Sequence, residues 1–265
     1  MIVLDQLFNE VKGTVISTGQ FIREQSEQFT TDFIEKKGFN DLVSFVDKEA
    51  EAMLVDGCSQ ALPEAGFITE EGTSTKEGAE YTWVIDPLDG TTNFSHGLPV
   101  YSISVALMRG SVVVMGVVYE INRDELFYAL EGQPAYLNDQ EINVSEVSHL
   151  SDSLLATGFP YYDFDNMAEY LAILHDFMRS THGLRRMGSA AVDLAYVACG
   201  RFEGFFEYNL NVWDVAAGAF IVQQAGGTVT DFKGGDRYLF GRHIVASCHI
   251  QNDMLNVIKN HWKKD

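Results

Sequence analysis

Trp83-Val84-Ile85-Asp86-Pro87-Leu88-Asp89-Gly90-Thr91-Thr92-Asn93-Phe94 is the stretch on which the reading of this chain turns. Its opening residues are aromatic or β-branched, the texture of a strand that delivers Asp86 at its end. Pro87 has no N–H to offer a ladder, so pairing is expected to stop there. Asp89-Gly90 permits a tight turn, because glycine tolerates positive φ. Thr91 and Thr92 then suit the cap or first turn of a short helix, and free N–H groups at such a start attract phosphate. Asp86 and Asp89 stand three residues apart beside that turn. Metal-assisted phosphoryl chemistry requires such a layout, since Mg²⁺ takes oxygen from a few carboxylates, water and the substrate phosphate. Asp-Pro-x-Asp-Gly is equally a common polar turn after a strand, so the decision rests on the rest of the chain.

Upstream, Gly66-Phe67-Ile68-Thr69 reads as a short strand that ends on the acid pair Glu70-Glu71. Such a pair on a loop is ordinarily solvated. Downstream, Trp213-Asp214-Val215-Ala216-Ala217-Gly218 sets Asp214 at the opening of an apolar helix, where an acid commonly serves as a cap. Asp47, within a second helix, reads by default as a surface acid. His96 follows the central motif closely and reads as structural or solvent-facing.

Around these motifs the periodicity is mixed. Leu4, Leu7, Phe8, Val11, Val15 and Ile22 recur at helical spacing over residues 4–27. Lys36-Lys37-Gly38-Phe39-Asn40 reads as a loop, and a second helix runs from Ser44 to about Leu62, ended by Pro63. Residues 102–109, 112–120 and 125–129 continue the strand texture of 81–85 as an antiparallel sheet. The last third predicts helices at 164–180, 189–199 and 214–225 and strands at 202–207 and 228–231, with Gly200 and Gly226-Gly227 as stops.

The chain is 265 residues long with 46% apolar residues, enough for one large core or two packed halves. Its 38 acids against 18 bases give a net charge of −20, which argues against a basic nucleic-acid-binding face. No apolar run approaches the roughly 18–20 residues of a membrane span, and Met1-Ile2-Val3-Leu4-Asp5 lacks a signal-peptide pattern, so a cytoplasmic protein is expected. Cys58, Cys199 and Cys248 are scattered and odd in number, which fits core residues better than a disulfide framework or a zinc site.

Taken together, Phe67-Ile68-Thr69-Glu70-Glu71, Trp83 through Phe94 and Trp213-Asp214-Val215-Ala216-Ala217-Gly218 strongly resemble the inositol monophosphatase family, within the lithium-sensitive, magnesium-dependent phosphatases. Asn40-Asp41-Leu42-Val43 with Asp47, and Gly188-Ser189-Ala190-Ala191, add to the resemblance, which spans nearly the whole chain.

The resemblance implies an α+β fold, a layered αβαβα sandwich. It implies a single catalytic unit with an α+β half at about 1–145 and an α/β half at about 146–265. It also implies a homodimer and two or three Mg²⁺ ions. Glu70, Asp86, the carbonyl of Leu88, Asp89 and Asp214 would be the metal ligands. Glu70 and Thr91 would orient the attacking water, with Asp47 acting from behind them. Gly90 and Thr91 N–H groups would hold phosphate. Gly188, Ser189, Ala190, Glu207 and Asp89 would meet the alcohol part of the substrate. Glu207 also reads as an edge carboxylate, and Arg185-Arg186 either as anion-capturing or as structural.

The implied reaction is hydrolysis of a phosphate monoester, foremost inositol 1-phosphate. A broad sugar-phosphate or fructose-1,6-bisphosphate phosphatase is the alternative, and a binding protein of a transcription complex is the alternative of another class. Direct nucleic-acid contact and membrane association are not expected.

Overall fold

The computed structural model describes residues 2–28, 34–36, 42–74, 76–78, 80–162 and 164–263. Most of the expected loop, Lys37-Gly38-Phe39-Asn40, and Asp41 lie outside these residues.

The chain opens on α1 (Leu4–Gln28), which buries the Leu7, Phe8, Val11, Val15 and Ile22 stripe. A small antiparallel pair, β1 (Ile34–Lys36) and β2 (Leu42–Ser44), leads into α2 (Phe45–Ala61). The buried face of α2 carries Val46, Ala50, Leu54 and Cys58, and two acids with them, Asp47 and Glu51. Asp47 is only 3% exposed, so its default reading as a surface acid is corrected. The helix turns that acid toward Glu70, whose carboxyl senses its charge.

Strands β3 (Gly66–Thr69), β4 (Tyr81–Asp89), β5 (Ser102–Arg109), β6 (Val112–Glu120), β7 (Glu125–Leu130), β8 (Ala135–Leu137) and β9 (Gln140–Ile142) form a seven-stranded sheet in sequence order. Only β3 and β4 run parallel; the other pairs are antiparallel. The expected stop at Pro87 is a bulge instead. Pairing breaks after Asp86↔Ser104 and resumes at Asp89↔Ser102, one residue longer on the β4 side. A bulge is where a sheet tolerates a proline, because the extra residue needs no ladder bond. The short helix α3 (Thr91–Ser95) follows at once.

The second half contributes β10 (Leu154–Thr157), α4 (Met167–Ser180), β11 (Gly183–Arg185), α5 (Ala190–Ala198), β12 (Gly204–Tyr208), α6 (Val212–Gln224), β13 (Thr228–Thr230), β14 (His243–Ser247) and α7 (Gln251–His261). Its five strands are ordered β11-β10-β12-β14-β13, with β14 antiparallel to both neighbours. The short β10, β11 and β14, and α7, have no counterpart in the sequence expectations.

The layers follow from which faces are apolar. Helices α1 and α2 pack on one face of the large sheet. Helices α5 and α6 lie between the two sheets, touching β4 to β7 on one side and β12 to β14 on the other. All nine residues of α5 are buried, as a helix covered on both sides requires. Helices α4 and α7 cover the outer face of the small sheet. The result is a layered α+β sandwich. Each fully buried Val, Leu, Ile or Phe in it contributes roughly 1.5–3 kcal/mol relative to exposure. Among the described residues no helix is long and apolar enough to cross a membrane.

Candidate functional site

Parallel pairing of β3 with β4 sets Thr69 beside Ile85, so Glu70 and Asp86 leave the sheet at the same end. The Glu70 N–H donates to the Ile85 carbonyl at 3.2 Å, which keeps the acid tied to the neighbouring strand. After the bulge, the Leu88 N–H donates to Asp86 Oδ1 at 3.0 Å. Gly90 takes φ 103° as the N-cap of α3, a left-handed conformation natural to glycine. The threonines therefore stand inside the first turn, not at the cap. Thr91 Oγ1 donates to the Leu88 carbonyl at 3.0 Å.

The second half closes over these groups. Ser189, the N-cap of α5, donates through its hydroxyl to Asp89 Oδ2 at 2.7 Å. The Ala191 N–H donates to the same oxygen at 2.7 Å. Asp89 thus ties the α3 turn to the start of α5. Asp214 stands in the first turn of α6 and accepts the Asn211 N–H at 2.6 Å. It is a cap and it faces the site as well. Glu207 lies on β12, flanked by β10 and β14, and is 8% exposed, so the edge-carboxylate reading is corrected. Strand order, which periodicity does not reveal, puts it in the sheet interior.

These residues wall one cavity of about 150 Å³. The first half supplies Glu70, Asp86, Leu88, Asp89, Gly90 and Thr91; the second supplies Gly188, Ser189, Ala190, Glu207 and Asp214. Asp47 does not reach the wall and acts on Glu70 by its charge. Arg186 joins the wall and donates to Tyr161 Oη at 2.6 Å, whereas Arg185 is exposed and donates to the Leu184 carbonyl. His96 is exposed at the end of α3 and takes no part in the cavity. The three cysteines are unbridged and stand apart from it. The sequence reading missed Gly158, Tyr161 and Asp193. Asp193 had a signal, because it stands four residues after Ser189 and so shares its helix face.

Burial and mutual repulsion raise the acids' affinity for protons. Glu70 is pushed well up by burial and then by the charges of Asp214 and Asp47. Asp86 is pushed well up by burial, then by Glu70, Asp89 and Asp214. Glu70 and Asp86 also hydrogen-bond to each other. Asp214 rises to about 7 through burial and Asp89, and Glu207 to about 8 through burial and Asp214. Asp89 rises only to about 6, because Ser189, the Ala191 N–H and Arg186 favour its charged form against burial. Fixed acids in one buried site raise one another in this way when no cation stands among them.

The donors are carboxylate and carbonyl oxygens, the chemistry of Mg²⁺ and not of zinc or copper. Among the described residues no group of three or more His, Cys, Asp or Glu is gathered closely enough to hold an ion alone. Mg²⁺ does not demand that. It keeps several waters and completes its shell with substrate phosphate. Glu70 and Asp86, whose carboxyl groups otherwise share a proton, fit such an ion best.

Oxygen donors beside a helix-opening turn on a layered α+β scaffold are chemically suited to a hard cation and an anion. The family model for inositol monophosphatases matches residues 4–263, and the chain belongs to that family. It is 41% identical over 256 residues to an inositol-1-monophosphatase of Rhizobium meliloti, covering 96% of each chain. It is 42% identical over 235 residues to the Nus factor SuhB of Pseudomonas aeruginosa, covering 87% of each. The crystal structure of the extragenic suppressor protein suhB from Bartonella henselae superposes with a TM-score of 0.92 at 37% identity, covering 97% of this chain and 100% of that one. Family membership supports phosphatase activity.

Proposed function

We propose that the chain is a Mg²⁺-dependent phosphomonoesterase acting on inositol 1-phosphate, with sugar phosphates or fructose 1,6-bisphosphate as alternative substrates. The observation that carries this reading is the meeting of Glu70, Asp86, Asp89 and Asp214 at one cavity beside the Gly90-Thr91 turn. Glu70, Asp86, the Leu88 carbonyl, Asp89 and Asp214 would hold two or three ions. The chemistry bound Mg²⁺ supplies is a more acidic water and neutralisation of the charge on the phosphoryl and leaving oxygens.

The chain's own groups do the rest. Glu70, whose carboxyl is poised to take up a proton, accepts one from the attacking water. Thr91 Oγ1, held by the Leu88 carbonyl, orients that water with Glu70. Asp47 keeps negative charge behind Glu70 and so strengthens it as a base. The N–H groups of Gly90 and Thr91 receive the phosphoryl oxygens. Gly188, Ser189 and Ala190 border the alcohol, with Glu207 and Asp89 as hydroxyl acceptors. A water-oxygen bond to phosphorus forms and the ester P–O bond breaks; the leaving oxygen takes a proton from solvent, which yields the alcohol and inorganic phosphate. Both halves of the chain work as one catalytic unit in this scheme.

A homodimer and a cytoplasmic location belong to the same reading. Exposed Phe164, Leu171 and Met178, on and just before α4, support the dimer as apolar surface in want of a cover. Sedimentation at micromolar concentration tests it.

The deciding experiment is phosphate release from inositol 1-phosphate, 2′-AMP, fructose 1,6-bisphosphate and adenosine 3′,5′-bisphosphate, with Mg²⁺ and with EDTA. Turnover that needs Mg²⁺ supports the reading, and the ranking names the substrate. No turnover of any ester by folded protein overturns it.

The name of the Nus factor relative favours a second reading, a binding role in a transcription complex. The net charge of −20 favours a basic protein partner over RNA. Asp89→Asn protein separates the readings, since it loses turnover and keeps a binding role.

A further inference from the structure

Asp193 is the one charged residue of α5, whose other residues are Ala190, Ala191, Val192, Leu194, Ala195, Tyr196, Val197 and Ala198. It is 1% exposed, and its Oδ1 has no hydrogen-bond partner. It borders the same cavity as Glu207.

The ordinary reason for an acid near a helix start is the favourable field of free N–H groups. Here that reason falls short. The Ala191 N–H is given to Asp89 and the Val192 N–H to Ser189 Oγ, so two first-turn donors are already used. Nor does Arg186 satisfy it, since that guanidinium donates to Tyr161 and lies 5.6 Å from its ring centroid. An alanine or leucine would suit this apolar helix better than a carboxylate with an idle oxygen. A fold that keeps an unpaired buried acceptor in a cavity wall keeps it for a donor that arrives with a ligand.

The neighbours say what that donor is. Glu207 and Asp89 send negative charge toward Asp193, and Arg186 alone opposes it. A second phosphate would meet three acids there. An alcohol O–H carries no charge and brings the missing hydrogen. On its Gly158 side Glu207 has no spare room, because a Cβ on Gly158 would collide with the Glu207 carboxylate. That close fit holds Glu207 in place.

We propose that Asp193 is a specificity-determining residue: with Glu207 it accepts hydroxyl groups of the substrate's alcohol part, so the site selects phosphate monoesters of polyols. This rests on the phosphomonoesterase reading above.

The test compares kcat/KM for myo-inositol 1-phosphate and for 4-nitrophenyl phosphate, whose leaving group has no hydroxyl to donate. Wild type, Asp193→Ala and Asp193→Asn are assayed at one Mg²⁺ concentration. The preference for the inositol ester falls about tenfold or more in Asp193→Ala, chiefly through KM, as loss of a buried hydrogen bond to the substrate dictates. It falls less in Asp193→Asn, whose carbonyl still accepts. Asp193→Ala does not melt below wild type, because it removes a buried carboxyl whose Oδ1 has no partner. An unchanged preference, or equal losses on both esters, overturns the role of Asp193 and leaves phosphatase activity standing. Wild-type protein that hydrolyses neither ester overturns both.

Discussion

The Glu51 carboxylate of α2 accepts the backbone N–H of Glu71 at 2.7 Å. Its other oxygen accepts the Thr73 N–H at 2.8 Å and the Thr73 hydroxyl at 2.7 Å. A fully buried acid thus fixes the turn that immediately follows Glu70. The geometry of the proposed base is set from a helix that never touches the cavity.

Glu51→Gln presents an amide N–H₂ where one oxygen accepted, and sets it against a backbone or hydroxyl donor. A buried donor left without an acceptor costs about 1–3 kcal/mol. Urea denaturation is expected to report a loss of that size. Because Glu70 is loosened and the alcohol pocket is untouched, kcat falls about tenfold with KM little changed. Equal kcat in the two proteins would show that the clamp does not reach the chemistry.

Asp89→Asn keeps an oxygen able to accept from Ser189 and Ala191, so the junction of α3 with α5 survives. What it loses is a charge. Mg²⁺-dependent phosphate release is expected to fall at least about a hundredfold, the scale on which removal of one transition-state-stabilising group is felt. The near-ultraviolet circular dichroism should match wild type. Retained turnover would remove Asp89 from the proposed metal site.

Stability should depend on pH in a direction opposite to that of an ordinary salt-bridged acid. Asp89, Asp214 and Glu207 hold their protons to about 6, 7 and 8 in the folded chain, against 3.8, 3.8 and 4.5 unfolded. Between these limits the folded state binds more protons than the unfolded one, so stability falls as pH rises. In EDTA the melting temperature is expected to drop steadily from pH 5 to pH 8. Added Mg²⁺ binds the deprotonated acids and restores stability most at the upper end. A metal at a hundred times its Kd contributes about 2.7 kcal/mol. A melting temperature in EDTA that climbs over this range would contradict the charge arrangement.

Gly188→Ala is expected to disturb the seam between the halves. Gly188 has φ 93°, and a Cβ there would lie 2.8 Å from Asn93 Nδ2. That amide group donates to the carbonyls of Val100 and Met187 at 2.7 and 2.8 Å, which fastens α3 to the link between β11 and α5. Left-handed backbone alone costs a non-glycine residue about 1–2 kcal/mol. The melting temperature should fall accordingly, and KM for a polyol ester should rise. An unshifted melting curve would argue that the seam yields freely.

The acids of the site were legible one by one, because each ends a strand or opens a helix and each such place has a local signature. Glu70 follows Gly66–Thr69, Asp86 follows Trp83-Val84-Ile85, and Asp214 opens Val212–Gln224. Elements with long periodic runs, such as α1 and β5 to β7, were legible for the same reason. The three-residue β11 and the four-residue β10 were not, since so few residues carry no period to detect. Pro87 misled because its effect on a ladder depends on whether the partner strand accommodates a bulge. Glu51 was invisible as a functional candidate, and Asp193 offered only its spacing from Ser189. Each looks like a helix acid until something is packed over it.

What the sequence determined by itself was the inventory: which oxygen donors end which elements, in what order, and the family they betray. Local chemistry suffices for that, because strand ends, caps and turns are decided by neighbours a few residues away. Convergence belonged to the tertiary structure alone. Parallel pairing of β3 with β4 sets Glu70 beside Asp86, and the sandwiching of α5 and α6 between two sheets turns Ser189, Asp193 and Asp214 toward them. Burial then raises the acids far above their solution values, an effect of excluded water and of charges distant in sequence. No stretch of chain read alone contains either cause.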